Sequence, residues 1–259
     1  MTAATDKSGA RWIKRFGGGP QVSLRLFCFP YAGGGAGVFS GWSKRLPRRV
    51  EVCAIELPGR STRLSEPPWR RLPELADAIA AVLRGSLDLP YAIFGHSLGG
   101  VLGFEVTRRL TALAAPPPIH LFVSGCRGPQ AMDRETTKFD LPADEFLAEL
   151  RRLDGTPAEA LSNAELMRTM VPILRADFEM LDTYVYERMA PLRLPLTVFG
   201  GLDDPEVSAA QLDAWRLETT GRIDVRMLPG GHLFINSATD LLLFSLAADL
   251  DGARTVPIA

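Results

Sequence analysis

The sequence has few of the residues that build disulfide frameworks or metal clusters. Its 259 residues include only three cysteines and three histidines. An odd, sparse set of cysteines argues against a disulfide framework and a zinc site, and is typical of a reducing compartment. We therefore expect Cys28, Cys53 and Cys126 to be small buried apolar side chains, and we expect a cytoplasmic protein without a metal site.

Long apolar runs and an excess of one charge are also missing. The 29 Lys and Arg residues nearly balance the 30 Asp and Glu residues, which leaves no field to gather nucleic acid. The longest strongly apolar stretch, Leu241–Leu250, contains Ser245 and Asp249 and is shorter than the ~20 residues that span a bilayer. No apolar stretch follows the basic N-terminal residues, so we expect no secretory signal. These patterns argue against nucleic-acid-binding and membrane-spanning proteins.

Short apolar runs recur along the chain and alternate with helical patterns. Hydrophobic residues make up 46% of the sequence, enough for a sizeable core in one domain. Runs that are apolar throughout are typical of strands buried on both faces of a parallel sheet. The alternation predicts an α/β fold with a mostly parallel central sheet flanked by helices. The predicted strands are 24–29, 50–56, 91–94, 119–124, 196–199 and 223–228, and the predicted helices are 72–87, 99–113, 208–219 and 239–250.

One interval lacks a strand pattern. Residues 133–190 read as amphipathic helices, which predicts a helical insertion into a core formed by residues 1–132 and 191–259. Insertions of this kind often cover the site of an α/β enzyme. The alternative is a purely structural helix pair on the flank of the sheet, and we favour the insertion because the break follows the carboxyl end of a strand.

A candidate nucleophile lies between a predicted strand and a predicted helix. The segment GHSLG at 95–99 matches G-x-S-x-G, in which a serine sits on a tight turn with its hydroxyl exposed. The pattern is short enough to occur by chance, so its context decides. Because strand 91–94 precedes it and helix 99–113 follows it, the motif has the strand, turn and helix that this chemistry requires. Ser97 is therefore the candidate nucleophile.

A serine hydroxyl needs a base, and the base needs an orienting acid. His232 lies in a glycine-containing loop after a strand, whereas His96 belongs to the motif and we expect it to point away from the hydroxyl. Asp203 and Asp204 both follow strand 196–199. We favour Asp204 because Pro205 stiffens the turn that presents it, with Asp203 as the alternative. The chain order Ser, Asp, His is that of an α/β-hydrolase.

An oxyanion hole is expected from two backbone amides. One belongs to Leu98, the residue after the nucleophile, and the other to the glycine-rich loop after the first predicted strand. Ala32 is our candidate in that loop. A phosphate-cradling role for the glycines is the rival interpretation, but no G-x-x-x-x-G-K-[ST] pattern occurs in the chain.

Six segments, spread in order over nearly the whole chain, carry a resemblance to a known family. They are FPYAGGG at 29–35, ELPGR at 56–60, FGHSLGG at 94–100, ILRADF at 173–178, GGLDDPEVS at 200–208 and LPGGHLFI at 228–235. Together they closely resemble the type II thioesterases that accompany modular polyketide synthases and nonribosomal peptide synthetases. Family members often carry Gln where Glu56 stands, a departure that does not touch the proposed triad.

The resemblance implies hydrolysis of acyl groups held as thioesters on the phosphopantetheine arm of acyl or peptidyl carrier protein domains. It implies an α/β-hydrolase fold with a mobile helical lid, no cofactor other than the substrate's own arm, and a monomer. It transfers Ser97, Asp204 and His232 as the triad. Three alternatives stay open: a stand-alone esterase or lipase, an acyltransferase, and a catalytically silent module that binds carrier proteins.

Two further sets of residues are candidates for binding. The first set is Met167, Met170, Phe178, Met180 and Tyr184. These residues could line a forgiving acyl chamber, because methionine adapts to varied shapes; the alternative is that they form the core of a helix pair. The second set is Arg60, Arg63, Arg70, Arg71, Arg108 and Arg109. These arginines could contact an acidic carrier domain; the alternative is ordinary solvated surface.

Overall fold

The computed structural model describes residues 11–132, 137–153 and 163–252, and a seven-stranded sheet forms its centre. The strands are β1 Ile13–Phe16, β2 Leu24–Phe29, β3 Val50–Ile55, β4 Tyr91–His96, β5 His120–Ser124, β6 Leu196–Gly201 and β7 Ile223–Leu228. Their order in the sheet is β1-β3-β2-β4-β5-β6-β7. Strand β1 pairs antiparallel with β3, and every other pairing is parallel. The predicted α/β fold with a mostly parallel sheet is confirmed.

Helices flank this sheet. The α-helices are α1 Leu72–Leu83, α2 Leu98–Ala112, α3 Ala143–Arg152, α4 Ala164–Asp182, α5 Ala209–Asp213, α6 Phe234–Ser237 and α7 Thr239–Gly252. Short 3-10 segments lie at Ala36–Phe39, Trp42–Lys44, Ser61–Arg63, Arg84–Ser86, Pro129–Ala131 and Ala214–Glu218. None of the helices in the described ranges is both long and apolar enough to cross a membrane.

Two apolar layers sandwich the sheet because successive side chains of a strand point to opposite faces. Phe27 and Ile93 belong to the layer that includes α1, α2 and α5. Phe94 and Phe122 belong to the other layer, which includes Trp42 and α7. Each central strand is thus covered on both sides, which explains why its sequence is apolar throughout.

Strand β1 differs from the sequence expectation, which began the sheet at residue 24. Its four residues, IKRF, carry two charged side chains, and only Ile13 is fully buried. An edge strand needs one apolar face and tolerates charges, so its sequence lacks the continuous apolar run of the central strands. A second difference is that the predicted helix 208–219 is α5 followed by a 3-10 segment.

Helices α3 and α4 lie in the chain between β5 and β6, inside the interval predicted as an insertion. The described residues of this interval contain no β-strand. The two helices share an apolar cluster that includes Phe146, Leu150, Leu174 and Phe178. The predicted interval includes 133–136 and 154–162, which lie outside the described residues.

Candidate active site

Ser97 lies in the tight turn between β4 and α2. Its backbone has φ 53° and ψ −118°, a strained conformation that costs about 1–3 kcal/mol and persists only where its surroundings fix it. A Cβ at Gly95 would lie 1.9 Å from the Gly99 carbonyl oxygen, and a Cβ at Gly99 would lie 2.2 Å from that of Phe29. Gly95 is therefore needed for the strand to pass the start of α2, and Gly99 for α2 to pack against β2.

Two loops at the same edge of the sheet are joined to each other. After β6, the amides of Leu202 and Asp203 donate to the carbonyl oxygens of Leu228 and Gly230, at 2.8 and 3.0 Å. Gly201 lies so close to this second loop that a Cβ would approach the Gly230 oxygen to 2.5 Å. The residues that follow β6 and β7 are thereby held side by side.

This arrangement brings Ser97, His232 and Asp204 together. His232 Nε2 lies 3.0 Å from Ser97 Oγ, and His232 Nδ1 lies 2.9 Å from Asp204 Oδ2. The Asp204 carboxylate is fully buried, and its Oδ1 also accepts from the amides of Glu206 and Val207 at 2.8 and 3.3 Å. These bonds fix the carboxylate in one orientation.

Asp203 was the alternative acid, and the structure places it differently. Its side chain is exposed, while its backbone amide bonds the loop after β7. Of the two neighbouring carboxylates, only Asp204 contacts the imidazole of His232.

His96 supports the loop that carries His232, a role that the sequence did not reveal. Its Nε2 lies 2.9 Å from the backbone oxygen of His232, and its Nδ1 lies 2.8 Å from the Ser124 hydroxyl. Burial lowers the pKa of His96 well below its usual value, so the ring is neutral. Because a carbonyl oxygen only accepts, Nε2 carries the proton and Nδ1 accepts from Ser124. No sequence pattern could signal a contact to the backbone of a residue 136 positions away.

Two backbone amides, those of Ala32 and Leu98, are predicted to form the oxyanion hole. Ala32 lines the same cavity as Ser97, and Leu98 is the first residue of α2. Neither backbone amide donates a hydrogen bond to any residue in the described ranges. Leu98 begins a helix, where an amide has no partner within that helix, and Ala32 lies in a turn, so both groups can donate to an incoming oxygen.

A cavity of about 700 Å³ adjoins Ser97 and His232. Side chains from α3 and α4 and from the core form its walls, and much of the lining is apolar. A cavity of this size is typical of a small-molecule site. Its apolar lining includes Val101, Met132, Leu141, Leu150, Leu153, Leu174, Phe178 and Leu181.

Four of the five predicted chamber residues lie elsewhere. Phe178 lines the cavity, but Met167 and Met170 pack in the cluster between α3 and α4, and Met180 and Tyr184 pack in the core layer of α1 and α2. Helical geometry explains the correction for Met180, because positions three or four apart share a face and Met180 is two positions from Phe178. Neighbours of Phe178 at such spacings, Leu174, Leu181 and Asp182, line the cavity instead.

Charged residues also line this cavity. Lys138 and Arg152, from the segment carrying α3, each contact both Glu149 and Glu206 at N···O distances from 2.7 to 2.9 Å. Arg152, assisted by Lys138, lowers the pKa of Glu149 to about 2. We call Lys138, Glu149, Arg152 and Glu206 the charged bridge. Because Glu206 belongs to the loop that presents Asp204, the charged bridge connects α3 to the site. Glu149 and Arg152 are three positions apart on α3, but Glu206 is more than 50 positions away, so no sequence pattern marks the whole set.

Most of the arginines considered for carrier docking have carboxylate partners within the chain. Arg60, Arg63 and Arg108 are buried, where they pair with Asp177, Glu66 and Glu105 respectively. Arg70 pairs with Glu179, and Arg109 pairs with Asp77 and Glu105. Because three of the six are buried, this set does not form one exposed basic face.

A serine on a strained turn after a central parallel strand, with an acid and a histidine after later strands, defines an α/β-hydrolase. The thioesterase domain family matches residues 24–248, and the chain belongs to this family. Its members are hydrolases that act on thioesters.

Relatives from biosynthetic pathways are similar over most of their length. The gramicidin S biosynthesis protein GrsT of Aneurinibacillus migulanus is 40% identical over 225 residues, which cover 87% of this chain and 88% of GrsT. The solved structure of RedJ, a thioesterase from the prodiginine pathway of Streptomyces coelicolor, superposes with a TM-score of 0.83 at 38% identity, covering 88% of this chain and 91% of RedJ. The type II thioesterase BorB of the borrelidin cluster gives a TM-score of 0.85 at 34% identity, covering 92% and 97%.

Proposed function

We propose that this protein is a type II thioesterase of a polyketide or nonribosomal peptide pathway. It hydrolyses acyl groups held as thioesters on the phosphopantetheine arm of carrier protein domains and so clears stalled or wrong acyl units. The observation that carries the proposal is the Ser97–His232–Asp204 hydrogen-bond chain beside a cavity of about 700 Å³. Support for the substrate class comes from the family and from relatives such as BorB.

In the first half of the proposed reaction, Ser97 Oγ attacks the thioester carbonyl carbon and His232 Nε2 takes the hydroxyl proton. The carbonyl oxygen becomes negative and is stabilised by the amides of Leu98 and Ala32. The carbon–sulfur bond then breaks, and the sulfur leaves as a thiol with the proton from His232. A thiol has a pKa of about 8.5, so it departs readily.

In the second half, water replaces the thiol. His232 takes a proton from the water as its oxygen attacks the acyl-enzyme carbonyl, and the same two amides stabilise the oxyanion. Collapse of this intermediate breaks the bond to Ser97, whose oxygen recovers the proton from His232. The free carboxylic acid leaves, and Asp204 holds the imidazole in the required tautomer throughout.

The setting of this reaction is part of the proposal. The partner is an acyl or peptidyl carrier domain, whose own arm brings the phosphopantetheine, and the thioesterase needs no further cofactor. We place it in the cytoplasm as a monomer. Its three buried cysteines are free thiols, which agrees with a reducing compartment.

A hydrolysis panel tests the function. Different acyl groups are loaded onto one carrier protein, and loss of each is followed by intact mass. We expect hydrolysis by the wild-type protein and a loss of about 10⁴-fold or more in Ser97→Ala, because triad residues act as a unit. The matching oxygen esters and added alcohol or amine acceptors are measured in parallel. A strong preference for the oxygen ester, or transfer to an acceptor in place of hydrolysis, contradicts the proposal.

A further inference from the structure

A buried ion pair connects helix α4 to the segment after β3. Arg60 Nη1 and Nη2 donate to Asp177 Oδ2 and Oδ1, both at 2.7 Å. Asp177 is fully buried, and Arg60 is 5% exposed. Such a two-point pair is strong and fixed in direction. Its partners lie 117 residues apart, one in the segment after β3 and one in α4.

Both members of this pair also bind the backbone beside Ala32. Asp177 Oδ2 accepts from the Gly33 amide at 2.7 Å, and Arg60 Nη1 donates to the Gly34 carbonyl oxygen at 3.1 Å. Gly33 has φ 76°, in the left-handed region. We name Arg60 and Asp177 the oxyanion-loop clamp, because they bind the 32–33 and 34–35 peptide groups, which follow the proposed oxyanion donor.

Helix α4 also presses directly on this loop. A Cβ at Gly33 would lie 2.6 Å from Leu174 Cδ2. Leu174 and Asp177 are three positions apart and share one face of α4, and Phe178 beside them lines the cavity. The same helical face therefore forms the cavity wall and holds the loop.

We propose that Arg60 and Asp177 are positioning residues that hold the Ala32 amide in place, so that the oxyanion hole is complete only while α4 is docked on the loop. The inference rests on the proposed function, since it concerns the same site. An amide displaced by about 1 Å loses most of its benefit to the transition state, because stabilisation of a developing charge depends on fixed geometry. Substrate binding in the ground state depends on the cavity walls and changes little.

The test uses a double variant, Arg60→Met with Asp177→Leu. Replacing both charges by apolar side chains leaves no unpaired buried charge and is commonly compatible with folding. A fluorophosphonate probe reports the oxyanion hole without any thioester. In that reaction Ser97 Oγ bonds to phosphorus, the phosphorus–fluorine bond breaks and fluoride leaves, the serine proton passes to His232, and the phosphoryl oxygen occupies the oxyanion hole.

We expect the phosphonylation rate constant to fall about 10²-fold in the double variant, and kcat for thioester hydrolysis to fall equally while KM changes less than about threefold. A matched control, Glu105→Leu with Arg108→Met, removes another buried ion pair, whose contacts lie within α2 and in the segment after α4. It should lower Tm but keep both rate constants within about threefold.

Four outcomes overturn the inference or separate it from the proposed function. A folded double variant with a wild-type phosphonylation rate overturns the clamp. Should that variant fail to fold, Asp177→Asn replaces it, because its single carbonyl oxygen cannot serve all three donors; an unchanged rate overturns the clamp there too. A wild-type protein that is phosphonylated but hydrolyses no thioester contradicts the proposed function. In that case the phosphonylation rates of wild type and double variant still test whether Arg60 and Asp177 position the Ala32 amide. No phosphonylation of the wild type overturns both.

Discussion

Asp203 and Asp204 are adjacent, yet their side chains lie in different environments. The Asp204 carboxylate is buried against His232, whereas that of Asp203 is exposed. Asp204→Asn should lower kcat by about 10⁴-fold, because an amide at this position stabilises the wrong tautomer of the imidazole. Steady-state kinetics on an acyl thioester measures this change.

The neighbouring residue supplies the matched control for this variant. Asp203→Asn makes the same chemical change one position earlier, and we expect kcat to stay within about twofold because the side chain contacts no part of the site. An equal loss in both variants would show that charge in the loop, rather than the contact to His232, controls the reaction.

At the residue scale, a site residue can be predicted best where its turn requires glycine at nearby positions. Ser97 and His232 both lie beside glycines that their turns require, so both could be assigned from spacing. Asp204 could be ranked above Asp203 by the stiffness of Pro205, by its position in a G-x-x-D-x-x-V pattern and by the family resemblance. His96 and the oxyanion-loop clamp could not be assigned, because they act through bonds to the backbone of distant residues.

At the scale of elements, the charged bridge links α3 to the loop of Asp204. Lys138 and Arg152 share the two carboxylates Glu149 and Glu206, so Glu206→Gln removes one partner from both cations. Partly exposed ion pairs contribute about 0.2–1 kcal/mol each, and a network somewhat more. We expect the amides of α3 to exchange hydrogen about threefold to tenfold faster in Glu206→Gln.

Hydrogen exchange followed by mass spectrometry measures this effect on residues 143–152. Raising the salt concentration should speed exchange in the wild type and change it less in the variant, because ions screen exposed charges. Asp213→Asn, which breaks the exposed pair with Arg216, is the control and should leave α3 unchanged. Equal exchange in wild type and Glu206→Gln would show that apolar packing alone holds α3.

Sequence patterns predict elements well where burial is uniform and poorly where it is partial. The central strands were predicted because both faces are covered, and the edge strand β1 was missed because two of its four residues are charged. In α4 the amphipathic pattern predicted a helix but not which apolar face meets the cavity. The adaptable shape of methionine favours Met167 and Met180 as chamber residues, but neither lines the cavity.

At the scale of the whole molecule, two histidines buried in the protein make its stability depend on pH. Burial lowers the pKa of His96 well below its usual value and that of His120 to about 4. An unfolded histidine has a pKa of about 6.5. Below that pH the unfolded chain binds protons that the folded protein does not, so stability falls as pH falls.

His120 is the better residue with which to measure this effect, because it lies away from the site and stacks on Phe122. Each such proton contributes about 1.4 kcal/mol per pH unit between pH 6.5 and 4. Half-buried Asp182 and buried Glu218, whose pKa values are raised, oppose this slope and leave the difference between variants unaffected. His120→Gln should therefore lower the slope of unfolding free energy against pH by about 1.4 kcal/mol per pH unit in this range, the contribution of one proton. Urea denaturation at several pH values measures this slope. Parallel curves for wild type and variant would mean that His120 is already charged in the folded protein.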